Sequence, residues 1–261
     1  MVTIVVDTLQ FRYRTLTSVN YTSFVLFVEL WYDPDMKLWQ GIVREIRLGS
    51  SGRSAWIECP PPAQPAPGQY LLGWAVDDAA ASLAVPLFPA AFVQGRFLAA
   101  VPLPLTWEPG AILSLRGPLG RGFDLPVSIS RLVMAALGDT VDRLAVLLPE
   151  VLRRNCSVAI CAGCELPSLP PEVEIYPLDN LGELIPWADY MLLDTPRSAL
   201  DRIKGLLDLT LPPGQALLEA AMPCGGLGQC GACAVQGRRG PKLVCQDGPV
   251  FPLEELSLFA G

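Results

Sequence analysis

The chain contains no histidine among its 261 residues. This absence excludes Ser-His-Asp and Cys-His nucleophile systems, metal sites with histidine ligands and Rieske-type iron–sulfur centres. Charged residues are scarce, at 17% of the chain, and the net charge is −7. A weakly charged, acidic chain with 51% apolar residues is typical neither of a disordered polyelectrolyte nor of a nucleic-acid-binding protein.

Long apolar runs are also lacking at the start of the chain. The stretch at residues 24–31 contains Glu29 and is far shorter than the ~20 residues of a membrane helix. Residues 1–30 show neither the charged region nor the small-residue cleavage site of a signal peptide. We therefore expect no membrane span and a reducing, cytoplasmic environment, in which cysteines serve metal or redox chemistry more often than disulfides.

Four regions are predicted from changes in composition. Residues 1–35 form an N-terminal extension, which is either an over-extended gene start or an additional β-strand or docking arm. In residues 36–124, short apolar stretches alternate with proline- and glycine-rich turns, which predicts an antiparallel β-barrel or sandwich. Residues 125–214 alternate apolar strands with helical stretches and predict a small parallel α/β layer. Residues 215–261 form a cysteine-rich tail, so the predicted fold class is multi-domain α+β.

Individual elements follow from the same patterns. The predicted strands of the first layer include residues 69–74, 83–88 and 92–101. In the α/β layer we expect helices over residues 141–154 and 197–207, between short buried strands.

The tail carries four cysteines with a distinctive spacing, C-x5-C-x2-C-x11-C. A [2Fe–2S] cluster takes four thiolates, and plant-type ferredoxins space them as C-x4-C-x2-C with a distant fourth. The alternative is a four-cysteine zinc site, although zinc ribbons usually present two C-x2–4-C pairs. The spacing favours a [2Fe–2S] cluster, and its predicted ligands are Cys224, Cys230, Cys233 and Cys245.

Glycines punctuate this segment at Gly225, Gly226, Gly228 and Gly231. A loop that wraps a cluster must turn tightly and direct backbone N–H groups at the sulfurs, and glycine permits the positive φ angles that this requires. The first spacing is one residue longer than the ferredoxin spacing, and a glycine bulge can accommodate that residue.

The other cysteines lie outside this cluster. Cys161 and Cys164 form a C-x-x-C that is either a redox pair or a pair of structural thiols, and burial habits favour the second interpretation. Cys59 and Cys156 are expected to pack in the core.

Three basic residues, Arg238, Arg239 and Lys242, fall between the last two cluster cysteines. They are either the solvated tip of a hairpin or charges that balance the cluster or contact a partner.

The tail resembles a known family. The segments Cys224-Gly225, Cys230-Gly231-Ala232-Cys233 and Cys245-Gln246-Asp247-Gly248-Pro249-Val250-Phe251 are similar to the iron–sulfur domain of the electron-transfer subunit of class B dihydroorotate dehydrogenase. Upstream, residues 67–70 resemble the turn into a flavin-barrel strand, and residues 117–123 resemble the segment that joins the barrel to the nucleotide domain. The resemblance covers residues 36–261.

The resemblance implies a ferredoxin-reductase-like architecture with a flavin-type β-barrel, a nicotinamide-nucleotide α/β domain and a C-terminal [2Fe–2S] module. In that family, electrons pass from NADH through FAD and the cluster to the FMN of a separate catalytic subunit, in pyrimidine biosynthesis. A subunit of anaerobic sulfite reductase has the same three parts. The resemblance therefore implies a hetero-oligomer with a catalytic flavoprotein.

Two cofactor motifs of the family are not matched. The family binds FAD with an Arg-x-Tyr/Phe-Ser type motif, and residues 84–89 offer neither a cation nor a hydroxyl. The phosphate turn of the nucleotide domain reads Gly138-Asp139-Thr140, with one glycine and a repelling carboxylate. The family's Cys-Gly-Pro segment appears as Asp194-Thr195-Pro196. Either FAD and NADH bind through other contacts, or the two domains are scaffolding; the motifs weigh against NADH more strongly than against FAD.

The first functional hypothesis is an electron-transfer subunit that relays electrons to or from a dihydroorotate-dehydrogenase-like flavoprotein. We assign no catalytic residue, because the chain offers no evident acid, base or nucleophile. The alternatives are a sulfite-reductase-type electron-transfer subunit and a non-catalytic assembly or regulatory protein in which a metal staples the tail.

Overall fold

The computed structural model describes residues 37–49, 52–76, 83–100, 103–200 and 211–256, together with the backbone of two earlier strands. The chain forms two compact units, residues 1–37 and residues 38–261. In the first unit, β1 (Phe11–Tyr13) pairs antiparallel with β2 (Val28–Leu30). This pairing lies within the predicted N-terminal extension. All other elements belong to the second unit.

The first layer of the second unit is a seven-stranded antiparallel sheet with the order β6-β5-β9-β3-β4-β8-β7. Its two edge strands, β6 and β7, are separated along the chain by Phe88 alone, so the sheet curls back on itself as a barrel. Its strands are β3 (Leu38–Gly49), β4 (Gly52–Glu58), β5 (Tyr70–Ala75), β6 (Val85–Leu87), β7 (Pro89–Val93), β8 (Arg96–Ala99) and β9 (Ile112–Leu119).

Alternation of side chains explains the barrel interior. Along β9, Leu113 and Leu115 are fully buried whereas Ile112 is exposed, as the two-residue period of a strand requires. Trp107 and Phe97 pack in the same core. One predicted strand differs from the structure: residues 92–101 include the turn at Gln94 and Gly95, which joins β7 to β8 as a hairpin.

The second layer is a six-stranded sheet with the order β12-β11-β10-β13-β14-β17. The first five strands are parallel, and β17 pairs antiparallel with β14. These strands are β10 (Arg131–Ala136), β11 (Ser157–Ala162), β12 (Val173–Pro177), β13 (Tyr190–Pro196), β14 (Gly214–Glu219) and β17 (Val250–Pro252). From β10 the chain adds β11 and β12 on one side of the sheet, and it then returns to add β13 and β14 on the other side of β10. The connections at the carboxyl ends of β10 and β13 therefore lead in opposite directions and leave a crevice between them.

The first helix predicted for this layer is divided into two shorter ones. The segment at residues 141–154 contains α1 (Asp142–Ala145) and α2 (Leu148–Arg153), with a turn at Val146 and Leu147. Pro149 has no N–H to donate and therefore favours a new helix start over continuation of the first. The predicted helix over residues 197–207 begins as a single 3-10 turn at Arg197–Ala199, and residues 201–210 lie outside the described residues.

The tail leaves the second sheet and returns to it. After β14, a loop leads into the hairpin of β15 (Ala234–Gly237) and β16 (Gly240–Leu243). The short helix α4 (Val244–Asp247) follows, and β17 then pairs with β14. Earlier in the chain, the short helix α3 (Leu181–Leu184) lies between β12 and β13. No helix of the described residues is long and apolar enough to cross a membrane.

Candidate metal centre

Two of the four predicted ligands are brought together by the hairpin and the helix after it. Cys233 precedes β15, Cys245 lies in α4, and their Sγ atoms are 3.4 Å apart. The N–H of Val244 donates to the carbonyl of Cys233 at 3.1 Å and fixes the two segments side by side. Both cysteines are buried, with 1% and 4% of their surface exposed. Burial and the neighbouring Cys233 thiol raise the pKa of the Cys245 thiol to about 12.

The other two ligands lie on the loop after β14. Cys224 is half-buried and Cys230 is exposed. Although burial alone would raise the pKa of Cys224, hydrogen bonds from the backbone N–H groups of Cys230, Gln229 and Leu227 lower it to about 6. The Cys230 thiol is a further hydrogen-bond partner of Cys224. This loop therefore favours a thiolate at Cys224.

Backbone N–H groups of the same loop serve both cysteine pairs. The N–H groups of residues 227, 229 and 230 face Cys224, and the N–H of Gly228 faces the sulfur of Cys245. Donors on consecutive residues thus point at sulfurs from both pairs. Such a concave set of N–H groups stabilises negative charge between them.

The glycines of this loop adopt the conformation that the sequence predicts. The φ angles of Gly225, Gly226, Gly228 and Gly231 are all positive, between 63° and 73°. At Gly226 a Cβ atom would also lie 3.3 Å from both the Oη atom of Tyr70 and the Cδ1 atom of Leu72. This glycine therefore permits the turn and also the close approach of the loop to the barrel.

Two barrel side chains hold the cysteine segments in place. The hydroxyl of Tyr70, on β5, donates to the carbonyl of Cys245 at 3.2 Å. Arg116, on β9, donates to the carbonyl of Gly225, next to Cys224. Neither residue was identified from the sequence, because each contacts a segment that lies more than 100 residues away along the chain. Such a contact leaves no local sequence pattern.

A second cation, and the third side chain that holds these segments, comes from the parallel sheet. Arg197 follows β13 and donates to the carbonyl of Ala232, directly before Cys233. The basic residues that the sequence singled out lie elsewhere: Arg238 and Arg239 are exposed at the tip of the β15–β16 hairpin, and Lys242 is 4.0 Å from Asp247.

The donor set forms two pairs, Cys224 with Cys230 and Cys233 with Cys245. Among the residues that the structure describes, no three cysteine or carboxylate side chains lie close enough together to hold one metal ion. A [2Fe–2S] cluster has two iron atoms and takes four thiolates, which two pairs can supply. The two pairs therefore fit a two-iron cluster, with one pair of thiolates for each iron atom.

The crevice of the parallel sheet holds a cavity of about 540 Å³. It is lined by the turn after β10, with Gly138, Asp139 and Thr140, and by Glu219 at the end of β14. Arg143, 3% exposed, lies in its wall, but its Nε atom contacts Asp194 at 2.8 Å and its Nη1 atom contacts Glu219 at 2.7 Å. Burial alone would lower the pKa of the Arg143 guanidinium, but these two carboxylates raise it, so the group stays protonated and its positive charge is balanced within the chain.

The remaining four cysteines have free thiols, of which Cys59, Cys156 and Cys161 are buried and Cys164 is half-buried. Burial raises the pKa of Cys59 and of Cys161 to about 11 and also raises the pKa of Cys156 and Cys164. A thiol with a raised pKa is a poor nucleophile at neutral pH. The C-x-x-C segment of Cys161 and Cys164 thus has the electrostatics of structural thiols.

The tail of the chain is similar to a described protein domain. Residues 219–257 match the iron-sulfur cluster binding domain of dihydroorotate dehydrogenase B. The chain is 30% identical over 172 residues to the electron transfer subunit of dihydroorotate dehydrogenase B (NAD(+)) from Desulforamulus reducens, and this match covers 56% of the chain and 65% of the relative. A probable subunit of the same name from Pyrococcus furiosus is 27% identical over 210 residues, covering 73% of the chain and 81% of that protein. The aligned chain thus spans less than two thirds of the Desulforamulus subunit.

Solved structures show the same architecture. An NADH-dependent reduced ferredoxin-NADP oxidoreductase, studied for flavin-based electron bifurcation, superimposes with a TM-score of 0.67 at 18% identity, over 82% of this chain and 88% of that one. The ferredoxin reductase in carbazole 1,9a-dioxygenase gives a TM-score of 0.53 over 66% of this chain and 64% of its own. The predicted fold class is confirmed. The chain has a ferredoxin-reductase-like fold, and its tail resembles the iron–sulfur domain of dihydroorotate dehydrogenase B, as the sequence indicates.

Proposed function

We propose that the chain is an electron-transfer subunit that binds a [2Fe–2S] cluster and relays electrons to or from a dihydroorotate-dehydrogenase-like flavoprotein, in pyrimidine biosynthesis. The observation that carries this proposal is the loop at residues 227–230, whose N–H groups point at the sulfurs of both cysteine pairs. Family resemblance in the tail and in the named relatives supports the same function. Clustered free thiols support a reducing, cytoplasmic environment.

The proposed ligands are Cys224, Cys230, Cys233 and Cys245. When bound, the cluster supplies reversible one-electron transfer. The protein supplies the environment: four thiolates, backbone N–H donors, and the nearby guanidinium groups of Arg116 and Arg197. These positive groups offset the negative charge that four thiolates bring and that an added electron increases.

The two cysteine pairs differ in exposure, and this difference gives the site a direction. Cys233 and Cys245 are buried against the sheet, whereas Cys230 is exposed and lies near Leu227, which is 37% exposed. Electron transfer to another protein requires close approach to the centre, so we place the docking of the catalytic flavoprotein at this exposed side. Chemistry on an organic substrate belongs to that partner, since the described residues bring no acid, base or nucleophile to this site.

A structural metal is the rival function. In that case the four cysteines would hold zinc, and the tail would serve assembly or regulation. The paired arrangement of the thiols disfavours a single ion. A sulfite-reductase-type electron-transfer subunit would share every feature of the site and differs only in its partner.

The decisive experiment is the visible spectrum of anaerobically purified protein, with iron and zinc assayed on the same sample. We expect about two irons per chain, little zinc, and a visible absorption that dithionite bleaches and air restores. Zinc without iron would refute electron transfer. Co-purification with a dihydroorotate-dehydrogenase-like or a sulfite-reductase-like protein distinguishes the two partners.

Variants test the ligand set. Cys230→Ser and Cys233→Ser should each lose the visible absorption, because each removes one thiolate. Cys164→Ser is the matched control, since this thiol lies outside the centre and should keep the full spectrum. A complete cluster in either ligand variant would show that the ligand set is wrong.

A further inference from the structure

We propose that two side chains of the chain itself, Phe88 and Arg143, close the junction between the barrel and the parallel sheet. The chain then holds neither flavin nor nicotinamide nucleotide. It receives single electrons from a reduced one-electron carrier protein. This inference rests on the proposed function and names its electron source.

The first observation is the position of Phe88. This residue joins the two edge strands of the barrel, β6 and β7, and is 4% exposed. The centre of its ring lies 5.5 Å from the centre of the Tyr70 ring, and the two rings are tilted by 38°. The Cζ atom of Arg143 also lies 5.5 Å from the centre of the Phe88 ring. The Phe88 side chain is therefore held between an aromatic ring of the barrel and a cation of the α/β layer.

The second observation is that the two layers share one apolar cluster at this junction. Tyr70, Leu72 and Phe88 of the barrel pack with Leu217 and Val250 of the parallel sheet, and all five are buried. A flat cofactor ring between the layers would have to displace these contacts. Residues 84–89 offer neither a cation nor a side-chain hydroxyl to a cofactor, and they supply the Phe88 ring to the junction.

The third observation concerns the charge of the adjoining cavity. A dinucleotide pyrophosphate needs uncompensated positive charge or free N–H donors. Arg143 is bonded to Asp194 and Glu219, and the turn that would cradle a phosphate carries the exposed carboxylate of Asp139. Buried Asp194 also has one oxygen, Oδ1, without a hydrogen-bond partner. Two carboxylates, Asp139 and Glu219, and two guanidinium groups, Arg143 and Arg197, line the cavity. Both guanidinium groups are already engaged within the chain, Arg143 by two carboxylates and Arg197 by the carbonyl of Ala232.

Electron balance then defines the donor. Oxidation of a reduced nicotinamide releases a hydride, which carries two electrons, whereas a [2Fe–2S] cluster accepts one electron per reduction. Without a flavin to receive the pair and release it in single steps, the chain cannot be reduced by NADH. A carrier protein that is oxidised by one electron as the cluster is reduced by one electron satisfies the balance.

The test is an anaerobic reduction of the whole protein, followed by the visible absorption of the cluster. We expect no acid-extractable flavin, no bleaching by NADH or NADPH even with added FAD, and complete bleaching by dithionite-reduced methyl viologen, a one-electron donor. Stoichiometric flavin, or bleaching by NADH, would overturn the inference. Failure of the viologen to bleach, or absence of iron, would instead refute the proposed function.

A pair of variants tests the closed junction without any cofactor. Phe88→Ala removes the buried ring, and Phe92→Ala removes a 41% exposed ring on the neighbouring strand β7. We expect the denaturant midpoint to fall for Phe88→Ala and to stay near that of the parent for Phe92→Ala. Equal midpoints for the two variants would show that Phe88 does not close the junction.

Discussion

The hydroxyl of Tyr70 and the carbonyl of Cys245 are joined by a buried 3.2 Å hydrogen bond between residues 175 positions apart. One residue lies in the barrel and the other carries a proposed ligand thiol. The bond ties the metal site to the barrel. The position of the Cys245 segment therefore depends on the barrel as well as on the tail.

Loss of the Tyr70–Cys245 hydrogen bond should lower the stability of the fold. Tyr70→Phe leaves the ring in place and leaves the buried carbonyl of Cys245 unpaired, which typically costs about 1–3 kcal/mol. We expect a lower free energy of unfolding in urea. Tyr176→Phe is the control, because the Tyr176 hydroxyl bonds only to Glu174 at the surface. An unchanged Tyr70→Phe protein would show that the bond contributes nothing to the native state.

Two glycines with the same backbone conformation should respond differently to alanine. Gly120 has φ of 75°, and a Cβ atom there would lie 2.4 Å from the Cδ atom of Pro249 and 2.7 Å from the carbonyl of Gly248. Gly95 has φ of 74° and open space around it. Alanine with positive φ costs roughly 1–2 kcal/mol, so Gly95→Ala should show this cost alone.

At Gly120 the steric clash adds to the cost of the backbone conformation. Overpacking typically costs about 1–3 kcal/mol more, and we expect Gly120→Ala to be the less stable of the two variants in denaturant unfolding. If both variants unfold at the same midpoint, the close contact between Gly120 and the segment before β17 does not exist in solution.

Alkaline pH should destabilise the fold through its buried thiols. The pKa of Cys59 is raised by burial to about 11, whereas an unfolded thiol titrates near ~8.5. Above pH 9 the unfolded state therefore loses the proton first, and stability falls with pH until the folded thiol titrates. Urea midpoints at pH 8 and pH 10.5 should differ less for Cys59→Ala than for the parent chain. Identical pH dependence of the two proteins would contradict this prediction.

The positive charge next to the metal site should set its reduction potential. Arg197→Gln removes a guanidinium whose hydrogen bond reaches the residue before Cys233. Reduction adds negative charge, so we expect a potential lower by roughly 20–60 mV, where ~59 mV corresponds to a tenfold change in a one-electron equilibrium. A redox titration of the Arg197→Gln protein measures the effect. The control is Arg96→Gln, which removes an exposed guanidinium from the barrel. A potential unchanged or raised would mean that Arg197 does not act on the site.

The cysteine spacing and the positive-φ glycines could be predicted from the sequence because they are local requirements of one loop. The two layers were predicted because strand alternation and buried strands leave periodic patterns. Tyr70, Arg116 and Arg197 were not predicted, since their roles depend on strands that meet only after folding.

Local signals also failed where the chain turns within an apolar stretch. Residues 92–101 look like one strand because apolar residues lie on both sides of the short polar segment at residues 94–96, yet the positive φ of Gly95 forms the turn of a hairpin. The helix predicted over residues 141–154 is divided before Leu148, and Pro149 lies in the first turn of the second helix. In both cases a single residue with special backbone properties outweighs the hydrophobic period.

The neighbouring strands β14 and β17 give the tail the character of an insertion. Residues 220–249 leave the sheet after β14 and re-enter it at β17, and paired strands lie only ~4.8 Å apart. In topology the segment is therefore an excursion between two adjacent strand ends, which a short turn could also connect. In packing it is part of the core, because Cys233, Val244 and Cys245 are buried with residues of the parallel sheet.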